Sequence, residues 1–230
     1  MRLPKGSLFF VLSLEVLQKL FTFNCPLFIY FVFLPSRTDF MEVAIIAGGC
    51  FWCTEAIFKR LIGVEQVEVG FVGGSVPEPS YKEVCKGDTG HAEAIRITYD
   101  SKQLSYLDIL EVFWQAHDPT TLNRQGEDKG TQYRSAIFYL DENQHQAALQ
   151  SKERIAHTFA MPIVTDIVPA GEFYPVQEDY LINYYENNTD RGYCIFTIAP
   201  KINKIYNLFQ EKIKPTYQAL EHEDRTQKTI

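Results

Sequence analysis

No apolar stretch in this 230-residue chain reaches the roughly 18 residues that a membrane-crossing helix needs. Positive charge is also in short supply. The 22 Lys and Arg are outnumbered by 29 Asp and Glu, for a net charge of −7. Nucleic-acid binding is therefore not expected as its main business, because a phosphate backbone is gripped by clustered cations. The glycines form no phosphate-loop pattern. There are 5 cysteines, and the C-x-x-C pair Cys50 and Cys53 has no second pair to complete a zinc site, so no metal is expected. Repeats and linkers are missing as well, which points to one folded unit.

With 46% hydrophobic and 22% charged residues, the chain is that of an ordinary globular protein rather than a disordered one. The apolar content is uneven. Residues 1–40 hold 8 of the 17 Phe and a net charge of +2, leaving −9 for the remainder. Their two apolar runs, Leu8–Leu14 and Cys25–Leu34, lack the small-x-small site of a cleaved signal. This extension reads as an export signal, an interfacial anchor or translated upstream sequence. Met41, placed directly before the strand-like Glu42–Ala47, favours the last. The expectation is a single domain over residues 41–230 with a cytoplasmic address; export or membrane association through residues 1–40 is the alternative.

Beyond Met41 the pattern alternates between strand and helix. Val43–Ala47 reads as a buried strand, Cys53–Leu61 as a helix, and Val67–Phe71 and Glu93–Tyr99 as alternating strands. Ser105 and Asp108 form a capping-box pair that opens a helix burying Leu107, Leu110, Phe113 and Trp114, stopped at Asp118-Pro119. Residues 118–132 are too polar and too long for a plain connection, so they read as a functional loop. Tyr133–Leu140 is a strand, Asp141 to about Phe159 a helix, Ile163–Val168 a strand, and Ile202–Ile213 a candidate helix. The order β-α-β-β-α-β, then α-β, predicts an α/β (α+β) two-layer sandwich on a ferredoxin-like, split βαβ core with elaborations.

The chemistry concentrates in Gly48-Gly49-Cys50-Phe51-Trp52-Cys53, between a strand and a helix. A Cys at a helix N-terminus faces free N–H groups and the positive dipole end, both of which favour a thiolate. Phe51 and Trp52 offer an apolar wall for a small group; the bland alternative is a buried structural thiol among packing aromatics. Glu93 shares a strand face with Ile95, Ile97 and Tyr99. Buried there it would keep its proton and could donate it, whereas at a solvated strand end it would not. Asp128 and Tyr133, at the end of the long loop, are oxygen-binding groups or a solvated strand start. Lys201, Lys204, Lys212 and Lys214 read as one solvated helix face.

Gly49-Cys50-Phe51-Trp52 resembles the active-site motif of the A-type peptide methionine sulfoxide reductases. The likeness continues through Val72-Gly73-Gly74, Tyr81–Cys85, Thr89–Glu93, His117–Thr120, Gln125-Gly126, Gly130–Ser135 and Gly192-Tyr193-Cys194. The resemblance implies reduction of methionine-(S)-sulfoxide, free or in proteins, as repair of oxidative damage. Cys50 would be the nucleophile, with Phe51 and Trp52 holding the S-methyl group. Glu93, Tyr81 and Tyr133 would bind and protonate the sulfoxide oxygen, and Asp128 would support the site. A second thiol would condense the Cys50 sulfenic acid to a disulfide, and thioredoxin or another dithiol would reduce it. No cofactor is implied, and a monomer is expected.

Two departures stand out. Many relatives carry a Gly-rich tail with a further Cys, and this chain has no Cys after Cys194. That leaves Cys194 and Cys53 as resolving candidates, with Cys194 ranked first on its motif and Cys85 read as structural. Leu181-Ile182 stands where relatives often have His-Gln. A general C-x-x-C disulfide oxidoreductase and a non-catalytic thiol or zinc-binding module are the competing readings.

Overall fold

The structure, a computed structural model, describes residues 40–218. The expectations for residues 1–39 and for the polar tail lie outside the described residues. Among these, no helix is long and apolar enough to cross a membrane.

The strands are β1 Met41–Gly48, β2 Val64–Val72, β3 Ala92–Asp100, β4 Arg124–Gln125, β5 Asp128–Lys129, β6 Ser135–Tyr139, β7 Asp166–Pro169 and β8 Tyr174–Pro175. The helices are α1 Phe51–Phe58, α2 Tyr81–Val84, α3 Tyr106–Ala116, α4 Glu142–Ala156, α5 Tyr184–Asn187 and α6 Ala199–Leu208. Six strands form one mixed sheet in the order β7-β6-β1-β3-β2-β8. β3 is inserted between β1 and β2 and runs antiparallel to both; β6 lies antiparallel to β1 and parallel to β7. β4 and β5 form a separate small hairpin.

Period-two alternation gives the sheet two apolar faces. Ala44, Ile46, Val69, Phe71, Ile95 and Ile97 join the helices in the main core. Ile45, Ala47, Val72, Ala94 and Phe138 face a smaller cluster closed by Phe173. Gly70 lets that closing segment approach: a Cβ there would lie 2.5 Å from Tyr174 O. Each fully buried Ile or Phe contributes about 1.5–3 kcal/mol, so the main core dominates stability.

The capping box of α3 forms as read. Ser105 Oγ accepts from Asp108 N–H at 3.1 Å, and Asp108 Oδ2 accepts from Ser105 N–H at 2.9 Å. Leu107, however, is exposed, and the buried stripe runs through Ile109, Leu110, Val112, Phe113 and Trp114. The strand expected from Ile163 starts at Asp166, because Val164 N–H is already bound to Pro119 O. The expected Ile202–Ile213 helix is instead a π-turn, Cys194–Ile198, running into α6, which ends at Leu208. Pro200 brings no N–H to this junction, which lies where the helical register changes.

Candidate active site

The turn from β1 into α1 builds the site. Gly49 has φ +89°, and a Cβ on it would lie 2.5 Å from Gln125 Cγ. Both the left-handed backbone and the close approach call for glycine. Gln125 is itself fixed by Asp118, accepting from its N–H at 3.2 Å and donating to its carbonyl at 3.1 Å. Cys50 is the N-cap residue of α1, with φ −55° and ψ 123°. The Cys50 side chain makes no cap bond; the Cys53 N–H, at the third helical residue, donates to Cys50 O at 3.0 Å, and the two thiols of this first turn interact.

Glu93 is the second residue of β3 and is 1% exposed. Its Oε2 accepts the first N–H of α1, from Phe51, at 3.0 Å. Its Oε1 is buried with no hydrogen-bond partner. Tyr81 from α2 stacks on Phe51, with centroids 6.1 Å apart. Tyr133 closes the 3-10 turn Thr131–Tyr133 and, like Tyr81, lies within the field of the Glu93 carboxylate. Asp128, on the hairpin, accepts from Tyr193 OH at 2.8 Å, and that hydroxyl lies 3.9 Å from Cys53 Sγ. Trp52 stacks face to face on Tyr184, centroids 3.6 Å apart, and meets the edge of Tyr193. Cys50, Phe51, Trp52, Cys53, Tyr81, Glu93, Asp128 and Tyr133 thus form one cluster.

Burial sets the protonation states. It pushes Glu93 up to about 8, against the Phe51 N–H and with help from the Asp128 and Cys53 charges. The carboxyl therefore holds its proton at neutral pH. Burial also raises Tyr81 and Tyr133, which stay phenols. The lowered thiol expected for Cys50 is not found. Burial, the bond to Cys53 and the Glu93 charge raise it, and the helix N–H closest in sequence is occupied by Glu93. The charge passes to Cys53 instead, brought down to about 7 by the bond from Cys50 and, against burial, by Lys201.

Cys194 is fully buried at the start of the π-turn and lies close enough to feel the Cys53 charge. Cys85 is exposed and hydrogen-bonds Tyr81. The four lysines do not form one solvated face. Lys201 Nζ donates to Cys53 Sγ at 3.4 Å, Lys212 pairs with Asp108, and Lys214 Nζ donates to Lys59 O and Val64 O at 2.8 Å. Among the described residues, no three His, Cys, Asp or Glu side chains gather into a metal-binding group.

The model of the peptide methionine sulfoxide reductase family matches residues 42–214. The chain belongs to that family. A Deinococcus radiodurans peptide methionine sulfoxide reductase MsrA is 53% identical over 175 residues, which is 75% of this chain and 84% of the relative. The Saccharolobus solfataricus MsrA is 48% identical over 174 residues, 76% of this chain and 98% of the relative. Among solved structures, reduced Mxr1 from Saccharomyces cerevisiae is similar at TM-score 0.63 and 32% identity, over 70% of this chain and 92% of the other. Methionine sulfoxide reductase A of Corynebacterium diphtheriae is similar at 0.61 and 38% identity, over 65% and 76%. As a peptide methionine sulfoxide reductase the chain is an oxidoreductase that reduces methionine sulfoxide.

Four residues that contact the cluster were not picked out from sequence: Tyr184 on Trp52, Tyr193 on Asp128, Lys201 on Cys53, and Glu55, whose Oε1 accepts from Asn183 N–H just before Tyr184. Tyr193 lies in a matching motif and was within reach of the resemblance. The others act through contacts to residues far away in the chain, which no local pattern displays.

Proposed function

We propose that Cys50 attacks the sulfur of a methionine-(S)-sulfoxide while Glu93 protonates its oxygen, and that Cys53 then closes the disulfide. The observation that carries this reading is the Glu93 carboxyl: 1% exposed, with Oε2 on the Phe51 N–H at the first turn of the Cys50 helix and Oε1 without a hydrogen-bond partner, a burial that raises it to about 8. A sulfoxide oxygen departs only when protonated, so a neutral acid facing the nucleophile is the group the reaction requires.

Each proton is accounted for. The Cys50 thiol gives its proton to the Cys53 thiolate across their shared hydrogen bond and bonds to the sulfoxide sulfur. Glu93 passes its proton to the sulfoxide oxygen, Tyr81 and Tyr133 donating hydrogen bonds alongside. As the hydroxyl moves to Cys50, the S–O bond and the new Cys50–sulfur bond both break, the electron pair of the latter stays on the methionine sulfur, and methionine leaves. Cys53 sulfur then attacks the Cys50 sulfenic acid; an S–S bond forms, and the Cys53 proton leaves with the hydroxyl as water. An external dithiol such as thioredoxin takes up the oxidising equivalents, with no bound cofactor. The Phe51 and Trp52 rings, the latter backed by Tyr184, hold the S-methyl group, and Asp128 steadies the site through Tyr193.

Cys53 is favoured over Cys194 because it lies one helical turn from Cys50, its N–H on Cys50 O at 3.0 Å and its thiol influencing that of Cys50, whereas the interaction of Cys194 is with Cys53. We carry one more reading, that the catalytic unit starts near Met41 and works in the cytoplasm. Its support is a family match beginning at residue 42, and N-terminal sequencing of the native protein tests it.

The decisive experiment is one turnover on a peptide methionine sulfoxide without reductant, followed by peptide mapping. One equivalent of methionine and a Cys50–Cys53 disulfide are expected. Cys50→Ser abolishes both. Activity retained in that variant would overturn the mechanism.

A further inference from the structure

Cys53 is 1% exposed, yet a cation reaches its sulfur. Lys201, in the first turn of α6, places its ammonium 3.4 Å from Cys53 Sγ. A buried thiolate is costly unless it is paired, and this contact supplies the pairing. Lys204, one turn on, reaches outward instead and donates to Gln115 O at 2.7 Å. The π-turn Cys194–Ile198 leads directly into the helix that carries Lys201.

We propose that Lys201 is a positioning residue for the redox chemistry: its ammonium stabilises negative charge on Cys53, so that the Cys53 thiolate can take the Cys50 proton in the first step and, as that proton passes to the departing hydroxyl in the second, attack the Cys50 sulfenic acid as the developing thiolate. This rests on the reading of Cys53 as the resolving thiol. No oxidant or reductant is added to the scheme, and Lys201 is assigned no proton-transfer step. The charged and titratable groups facing Cys53 are Cys50 on its own helix, Glu93 on β3, Tyr193 with Asp128 behind it, Cys194 on the π-turn, and Lys201. Among them Lys201 is the sole cation. The position of Cys53 near 7 agrees with this: after the bond from Cys50, the Lys201 charge is the next influence lowering it.

The test measures the pH dependence of Cys53 alkylation by iodoacetamide, mapped by mass spectrometry, in a Cys50→Ser background. Adding Lys201→Met should raise the midpoint by about one pH unit, which from a value near 7 is about fivefold less thiolate at pH 7. Lys201→Arg should restore most of it, and Lys201→Gln provides a second neutral variant if the Met protein folds poorly. With Cys50 present, the rate of disulfide formation in a single turnover should fall by a similar factor in Lys201→Met and recover as pH rises. An unchanged alkylation midpoint in both neutral variants would overturn the proposal. A Cys50–Cys194 disulfide formed at the normal rate in Cys53→Ser would overturn the resolving role instead, and would leave the alkylation result standing.

Discussion

Glu93 is held from two sides: its Oε2 takes the first N–H of α1, and the apolar surroundings of β3 keep the other oxygen away from water. The helix N–H favours the anion and burial opposes it. Burial wins, and the carboxyl titrates near 8. The sign of the pH dependence follows: the acid form is present below about 8 and is lost as pH rises through that value. Single-turnover methionine release should therefore fall on an alkaline limb near pH 8. Glu93→Gln keeps a hydrogen-bond donor but has no proton to give, so the rate should drop by about 10²–10⁴-fold and the limb disappear. Rapid-quench measurement of methionine across pH 6–9 checks both. Glu93 was half legible from sequence. Alternation with Ile95 and Ile97 put it on an apolar face, but only the register of β3 beside β2 and α1 decides between burial and solvent.

At the scale of elements, α1 is buried all round, with Phe51, Cys53, Thr54, Glu55, Ala56, Ile57 and Phe58 inside. The sequence marks a helix over Cys53–Leu61, but the polar Thr54 and Glu55 give no sign of this burial. Glu55 is in fact an anchor. Its Oε1 accepts the N–H of Asn183 at 3.0 Å, where the chain turns through the left-handed region (φ +54°) into α5. The next residue, Tyr184, stacks on Trp52. Glu55 thus links the helix bearing both thiols to the ring that stacks on Trp52, the residue proposed to wall the S-methyl group. Glu55→Ala should orphan that N–H at a cost of about 1–3 kcal/mol and raise KM for the sulfoxide more than it lowers kcat. Glu55→Gln, which keeps the acceptor, should stay near wild type; steady-state kinetics with urea denaturation distinguish the two. Elements built from local signals were legible, as the Ser105 capping box shows. The region from Tyr184 to Lys201 was not, because its meaning lies in contacts to Trp52, Asp128 and Cys53, far back in the chain.

Across the whole molecule, two buried titratable groups act on stability with opposite sign. His117, at the end of α3, places Nδ1 2.7 Å from Phe113 O and Nε2 2.7 Å from Ser135 Oγ on β6. That hydroxyl in turn bonds Thr165 at 2.7 Å, before β7. A neutral ring with its proton on Nδ1 satisfies both contacts, and burial pushes the imidazolium down to about 4 from an ordinary value near 6.5. The unfolded chain therefore binds the proton first. Stability from His117 is present above about 6.5 and is lost as pH falls towards 4, roughly 3 kcal/mol in all. Glu93 does the reverse. Its folded value near 8 lies above the ordinary 4.5, so its contribution is present below 4.5 and is lost as pH rises through 8. Between about 4.5 and 6.5 the two slopes oppose each other, and from 6.5 to 8 that of Glu93 persists. Urea denaturation at fixed temperature separates them. Relative to wild type, Glu93→Gln should gain stability at pH 8 and lose that advantage as pH falls to 4.5. His117→Asn should show its largest deficit above pH 6.5 and converge on wild type towards pH 4. A Glu93→Gln curve parallel to wild type from pH 4.5 to 8 would mean that the folded protein does not hold the Glu93 proton, and the acid assigned to the sulfoxide oxygen would have to be sought at Tyr81 or Tyr133.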